Sequence, residues 1–221
     1  MKLIKKIFFG SRNKSLAHGR KAAQNFQQPK NIEDWIEVNK LAPPCPAEVK
    51  YLVLARHHIP GATWIETGTH LGGTAKFLAS ISDEVYTIEP SEFYFQKAKQ
   101  ALAGENKIHL LKGSSEELLR GLLRQMKGKS LCLWLDGHWS GGETFCGKKE
   151  TPIVQELKLI SKARKSFPAL CVCIDDYRLC WSSPNTYPPP NYFVRWAEKN
   201  ELSWTIEQDI FIAKSLHLPL Y

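Results

Sequence analysis

At 221 residues with 43% hydrophobic content, the chain can bury one full α/β core and is too short for two ordinary domains. Its net charge of +8 is unevenly placed: residues 1–21 hold seven Lys or Arg and no acid, leaving 23 basic against 22 acidic residues, or +1, for the rest. A nearly neutral body excludes the broad basic face of a nucleic-acid enzyme. The six cysteines form no Cys-x-x-Cys pair and read as buried thiols of a reducing cytosol, not as a disulfide frame or zinc site.

Two regions are expected, a basic tail and helix over 1–44 and one domain over 45–221. In the tail, Leu3, Ile4, Ile7 and Phe8 can share a helix face ringed by Lys2, Lys5 and Lys6. Such a stretch reads first as a frayed or partner-packed helix, and second as a weak contact with an anionic membrane surface. It lacks the long apolar core of a secretory signal, and no run anywhere in the chain approaches a membrane-spanning length. A helix is expected over 31–41, with Trp35 as a core residue, ending at Ala-Pro-Pro-Cys-Pro. Residues 47–57 form the helix before the first strand.

That strand ends in Trp64-Ile65-Glu66-Thr67-Gly68-Thr69-His70-Leu71-Gly72-Gly73-Thr74, an apolar run entering a glycine-rich turn ahead of a helix. Glycines there permit positive φ and close backbone approach to a polar ligand. Glu89 closes the second strand, 85–88, about 20 positions beyond the loop, where an acid can grip both hydroxyls of a ribose. The spacing Glu-x-Gly-x-x-x-Gly-Gly is not the Gly-x-Gly-x-x-Gly of a dinucleotide site. A helix follows over 91–103 and a strand within 107–112. The turn Gly113-Ser114-Ser115-Glu116 then leads into a helix through Met126. The fourth strand, 131–135, ends at Asp136-Gly137-His138, and the fifth, 169–174, at Asp175-Asp176, with a helix over 157–167 between them. These apolar runs suit a parallel sheet covered on both faces. Residues 202–206 and 210–213 make a closing hairpin.

The glycine loop with Glu89 resembles the first two motifs of class I S-adenosylmethionine-dependent methyltransferases, and the order of elements matches over about residues 45–214. The resemblance implies a Rossmann-like three-layer sandwich, with a mostly parallel seven-stranded sheet closed by an antiparallel hairpin. It places Glu66, Gly68, Thr69, Gly72 and Thr74 around the amino acid end of S-adenosylmethionine, with Asp136 beside them. Glu89 takes the ribose, and Ser114 the adenine unless it serves only as a helix cap.

Asp136, Asp175 and Asp176 all fall beyond strand carboxyl ends, where open α/β sheets place their chemistry. Their oxygens suit Mg²⁺, which can orient two hydroxyls of an acceptor and lower the pKa of one; helix capping without metal is the alternative. The trio resembles the metal site of cation-dependent O-methyltransferases of the macrocin and aminocoumarin-sugar type, in which the fourth strand ends Asp-Gly-Asp and the fifth Asp-Asp. That match implies Asp136, Asp175 and Asp176 as metal ligands. It puts His138 in place of the second aspartate as catalytic base, with Asp136 beside it in the catalytic site. A histidine with a pKa near ~6.5 can take a proton at neutral pH. The loop over 140–152 is expected in the acceptor site; residues 181–192 read as a proline-stiffened loop, whose Trp181, Tyr187 and Tyr192 either stack on the acceptor or anchor a plain surface connection.

The function so implied is O-methylation of a small hydroxylated acceptor, such as a sugar, in the cytoplasm or at a membrane surface. Nucleic acid is not expected as a partner, and self-association is left open. The alternatives are a catalytically idle S-adenosylmethionine-binding scaffold and a nicotinamide-dependent oxidoreductase, the latter disfavoured by the loop spacing and the closing hairpin.

Overall fold

The computed structural model describes residues 31–137 and 151–220. The tail 1–21, His138 and the loop over 140–150 lie outside the described residues. Those described fall into two units that meet in sequence between Pro46 and Ala47.

In the first unit, α1 (Ile32–Glu37) starts at Asn31, whose side chain accepts the Asp34 N–H at 2.8 Å. Trp35 is buried, as expected of a core residue, and its indole N–H donates to the Ala42 carbonyl at 2.9 Å.

The second unit runs α2 (Ala47–His57), β1 (Thr63–Thr67), α3 (Gly73–Ile81), β2 (Val85–Glu89), α4 (Glu92–Ala101), β3 (Ile108–Lys112), α5 (Ser115–Gln125), β4 (Leu131–Leu135), α6 (Ile153–Ala163), β5 (Leu170–Ile174), α7 (Leu179–Ser182), α8 (Pro190–Lys199), β6 (Leu202–Glu207) and β7 (Ile210–Ser215). The sheet order is β3-β2-β1-β4-β5-β7-β6; β7 runs antiparallel to both β5 and β6, and every other pairing is parallel. This is the expected Rossmann-like sandwich with a closing hairpin.

Alternation along the strands builds two apolar layers, because successive side chains leave opposite faces of the sheet. From β1, β4 and β5, Ile65, Leu131, Leu133, Leu135, Leu170, Val172 and Ile174 join Leu119 and Leu123 of α5, Leu157 and Ile160 of α6, and Phe193 and Trp196 of α8. Trp64, Cys132, Trp134, Cys171 and Cys173 point the other way, against Val53 and Leu54 of α2 and Leu78 of α3. Each large side chain so buried contributes roughly 1.5–3 kcal/mol by removal from water. All five described cysteines are buried and none is in a disulfide, in keeping with the apolar runs that hold or flank Cys132, Cys171, Cys173 and Cys180.

Two expectations are corrected. The helix before β5 begins at Ile153, not at 157. The stretch 181–192, read as a proline-stiffened loop, holds the end of α7 and the start of α8. Pro190 occupies the first turn of α8, where a missing N–H costs nothing.

Candidate functional site

The carboxyl ends of β1, β2, β4 and β5 converge on one edge of the sheet, because these strands are parallel and in register. Thr67 pairs with Ile88 and with Leu135, and Leu135 with Ile174. Glu66, Glu89, Asp136 and Asp175 therefore come together from four separate stretches of sequence.

The glycine loop turns sharply. Gly68, His70 and Gly72 have φ of 93°, 51° and 82°. A Cβ on Gly68 would stand 2.4 Å from the backbone oxygen of Asp136, so β1 and β4 meet here with no room for a side chain. Gly72 ends the turn as the N-cap of α3. Glu89 holds the loop from outside, accepting the His70 N–H at 2.7 Å and the Ser91 N–H at 2.9 Å. Those two bonds fix its carboxylate, and each oxygen keeps a further lone pair for a ligand hydroxyl.

Glu66 is fully buried. One of its oxygens accepts the Thr87 hydroxyl at 2.6 Å, and Thr87 also bonds the Thr69 hydroxyl at 2.5 Å. Its other oxygen, Oε1, has no partner among the described residues. Burial pushes the carboxyl up to about 8; the Thr87 bond opposes that and the charges of Asp136 and Glu89 add to it. A cationic ligand would supply the missing partner. The Thr69 side chain is thus spent on the loop's own hydroxyl chain, and the hydroxyl of Thr74 lies by Tyr51 of α2. Ser114 caps α5, with Glu117 reaching back to accept its N–H at 3.2 Å.

The structure brings the three aspartates together, one carboxylate oxygen from each within 4.8 Å of the others. It adds two cations that no sequence motif marked. Lys50 of α2 forms an ion pair with Asp175 Oδ2. Burial works against the ammonium's charge, yet Asp175, Asp136 and Asp176 outweigh that and hold Lys50 above its ordinary range. Arg178 bonds Asp176 at 2.5 Å and also pairs with Asp209 in the β6–β7 turn. Asp176 itself is in the left-handed region at φ 53°, a strained setting for a residue with a Cβ. Asp175 is 1% exposed, and its Oδ1 has no partner among the described residues.

A divalent ion has suitable donors here in type and spacing. It does not fit beside Lys50, however, because the ammonium already stands on Asp175. Nearby, Glu156 of α6 is buried, with Oε1 lacking a partner among the described residues. Of the three aromatics over 181–192, Tyr187 is buried and donates to the Asp175 carbonyl at 3.2 Å. Tyr192 packs edge-on against Phe193, while Trp181 is 63% exposed and meets Tyr177 edge-on.

No protein-family profile and no curated protein sequence matches the chain. Solved structures do. A Staphylococcus aureus protein assigned as a caffeoyl-CoA O-methyltransferase superposes with a TM-score of 0.53 at 17% identity, over 93% of this chain and 100% of its own. A Streptococcus mutans protein assigned as a methyltransferase, solved with S-adenosylhomocysteine, gives 0.50 at 14%, over 78% of this chain and 97% of its own. These likenesses establish a Rossmann-like methyltransferase fold.

Proposed function

We propose that the protein is an S-adenosylmethionine-dependent methyltransferase acting on a hydroxyl oxygen of a small acceptor, with a sugar as the favoured class. The observation that carries this reading is the convergence of Glu66, Glu89 and Asp136 around a glycine loop, with a buried Glu66 oxygen that has no partner among the described residues. Three carboxylates suit a ligand bearing an amino group, a sulfonium and a ribose diol. The methyltransferase fold supports the same reading.

S-adenosylmethionine supplies a methyl group on a positive sulfur, ready for in-line attack by oxygen. The chain's own work is to bind, align and handle one proton. Glu89 is pre-set by two backbone N–H bonds to hold the ribose, and Glu66 is placed for the amino group. Asp136 belongs both to the aspartate trio and, through its backbone against Gly68, to the glycine-loop side of the site, so the acceptor oxygen is assigned a place beside it. Alignment of that kind supplies much of the rate of a two-substrate transfer. His138, two positions beyond Asp136, is the base expected to receive the hydroxyl proton. What the acceptor end then needs is a positive charge beside an oxygen turning anionic. An ion on Asp136, Asp175 and Asp176 could serve only by displacing the ammonium of Lys50.

Calorimetric titration with S-adenosylhomocysteine tests the reading. Binding to the wild type is expected, with a loss of about tenfold or more in Glu89→Ala, since a charge-assisted bond to ligand is worth roughly 1.5–3 kcal/mol. Asp175→Ala should keep its affinity. No binding by the wild type would remove the methyltransferase reading.

A further inference from the structure

We propose that the Lys50 ammonium is the resident cation of the Asp136–Asp175–Asp176 cluster, standing where a divalent metal would otherwise sit, so that the site works with a built-in charge and excludes the metal. The proposal rests on the reading of this cluster as the acceptor end of a methyl-transfer site for its catalytic meaning, though not for its geometry.

Three observations carry it. The first is position: Lys50 reaches from α2 onto Asp175, a residue 125 positions away, and its side chain is 18% exposed. A lysine on a solvated helix face would not surrender its stem and head to that degree. Secondly, the carboxylates are close enough to demand a counter-charge, with one oxygen of each within 4.8 Å of the others and Asp175 almost wholly buried. Like charges at such separations inside a protein repel strongly. The third is the second cation: Arg178 already binds Asp176 and Asp209, so the three aspartates face two fixed positive charges. A divalent ion added to this set would lie against an ammonium on the same carboxylate, and the repulsion of that pair opposes its binding.

The chemical consequence is specific. An ammonium gives an acceptor hydroxyl a point charge and N–H donors, and it stabilises a developing alkoxide without the fixed octahedral shell of Mg²⁺. With one N–H on Asp175, two donors remain for the acceptor, so a single hydroxyl is enough and the vicinal pair that a metal ion would chelate is not required.

Mn²⁺, followed by electron paramagnetic resonance of the free ion and by calorimetry, is the probe, used on the full chain with S-adenosylhomocysteine affinity measured alongside. The wild type should bind no Mn²⁺ that Asp136→Asn removes. Lys50→Met, which keeps the stem's length and loses its charge, should gain Mn²⁺ affinity by on the order of a hundredfold, as removal of a unit charge at contact distance implies. That gain should vanish in Lys50→Met with Asp175→Asn, and Lys50→Arg should exclude the ion as the wild type does. Wild-type binding abolished by Asp136→Asn would overturn the proposal, even if Lys50→Met failed to fold. So would a folded Lys50→Met that gains nothing. Failure of S-adenosylhomocysteine to bind would sink the methyltransferase reading and leave the cation result standing.

Discussion

Glu156 shows what one buried carboxyl does to this molecule. It projects from α6 toward the hydroxyls of Ser115 and Thr67, is 1% exposed, and its Oε1 lacks a partner among the described residues. Burial pushes its carboxyl up to about 7, the two hydroxyls pull it down, and the charges of Glu116 and Asp136 raise it further. An unfolded glutamate titrates near ~4.3, so between that value and about 7 the folded chain holds a proton that the unfolded chain has released. The stabilisation from this group is complete below pH ~4.3 and is lost as pH rises through about 7. Glu156→Gln, neutral at every pH, should therefore gain on the wild type as pH rises. The melting-point difference, variant minus wild type, should be more positive at alkaline than at acid pH by on the order of 10 °C. An equal difference at both ends would mean that Glu156 titrates alike in the folded and the unfolded chain, with no upward shift from burial.

At the scale of an element, the glycine loop makes a sharper claim. Gly61, in the turn before β1, and Gly68, just after it, both have positive φ, at 74° and 93°. Nothing lies within 4 Å of a Cβ on Gly61, whereas one on Gly68 meets the Asp136 carbonyl oxygen at 2.4 Å. Gly61→Ala should cost about 1 kcal/mol, the left-handed penalty alone. Gly68→Ala should cost about 2 kcal/mol beyond that, because the collision is with backbone and not with a yielding side chain. Urea unfolding measures both, and equal losses would show that the β1–β4 contact contributes nothing. Most of this level could be read in the sequence. The apolar runs of β1, β2, β4 and β5 mark the sheet, and the Glu-x-Gly spacing marks the loop. α8 was hidden because its prolines resemble a loop; its signal was Pro190 followed by Phe193, Trp196 and Ala197 at helical spacing. Lys50 and Arg178 could not be found that way. Lys50 meets Asp175 across 125 residues and Arg178 meets Asp209 across 31, pairs that no local spacing records; only the Asp176–Arg178 bond, two residues apart, is local, and it belongs to no motif.

Over the whole molecule, charge is divided between a tail and a body. Residues 1–21 hold seven of the 30 basic residues and no acid, and without them the net charge falls from +8 to +1. No helix among the described residues is long and apolar enough to cross a membrane, and the apolar run in residues 1–21, broken by Lys5 and Lys6, is far shorter than the roughly 20 residues that a span needs. Each Lys or Arg near an anionic bilayer contributes about 1 kcal/mol, and the attraction fades beyond a Debye length of ~8 Å at physiological salt. The full chain should accordingly sediment with vesicles rich in phosphatidylserine at low salt and release as salt is raised. It should ignore vesicles of phosphatidylcholine alone. A chain lacking residues 1–21 should lose the anionic binding and keep its S-adenosylhomocysteine affinity, since every residue assigned to the cofactor lies at or beyond Glu66. Co-sedimentation unchanged by the deletion would move the contact to the body, whose near-neutral charge leaves no comparable attraction to explain it. Binding that persists at high salt would point instead to Leu3, Ile4, Ile7 and Phe8 as the adhesive face, because apolar burial is not screened by ions.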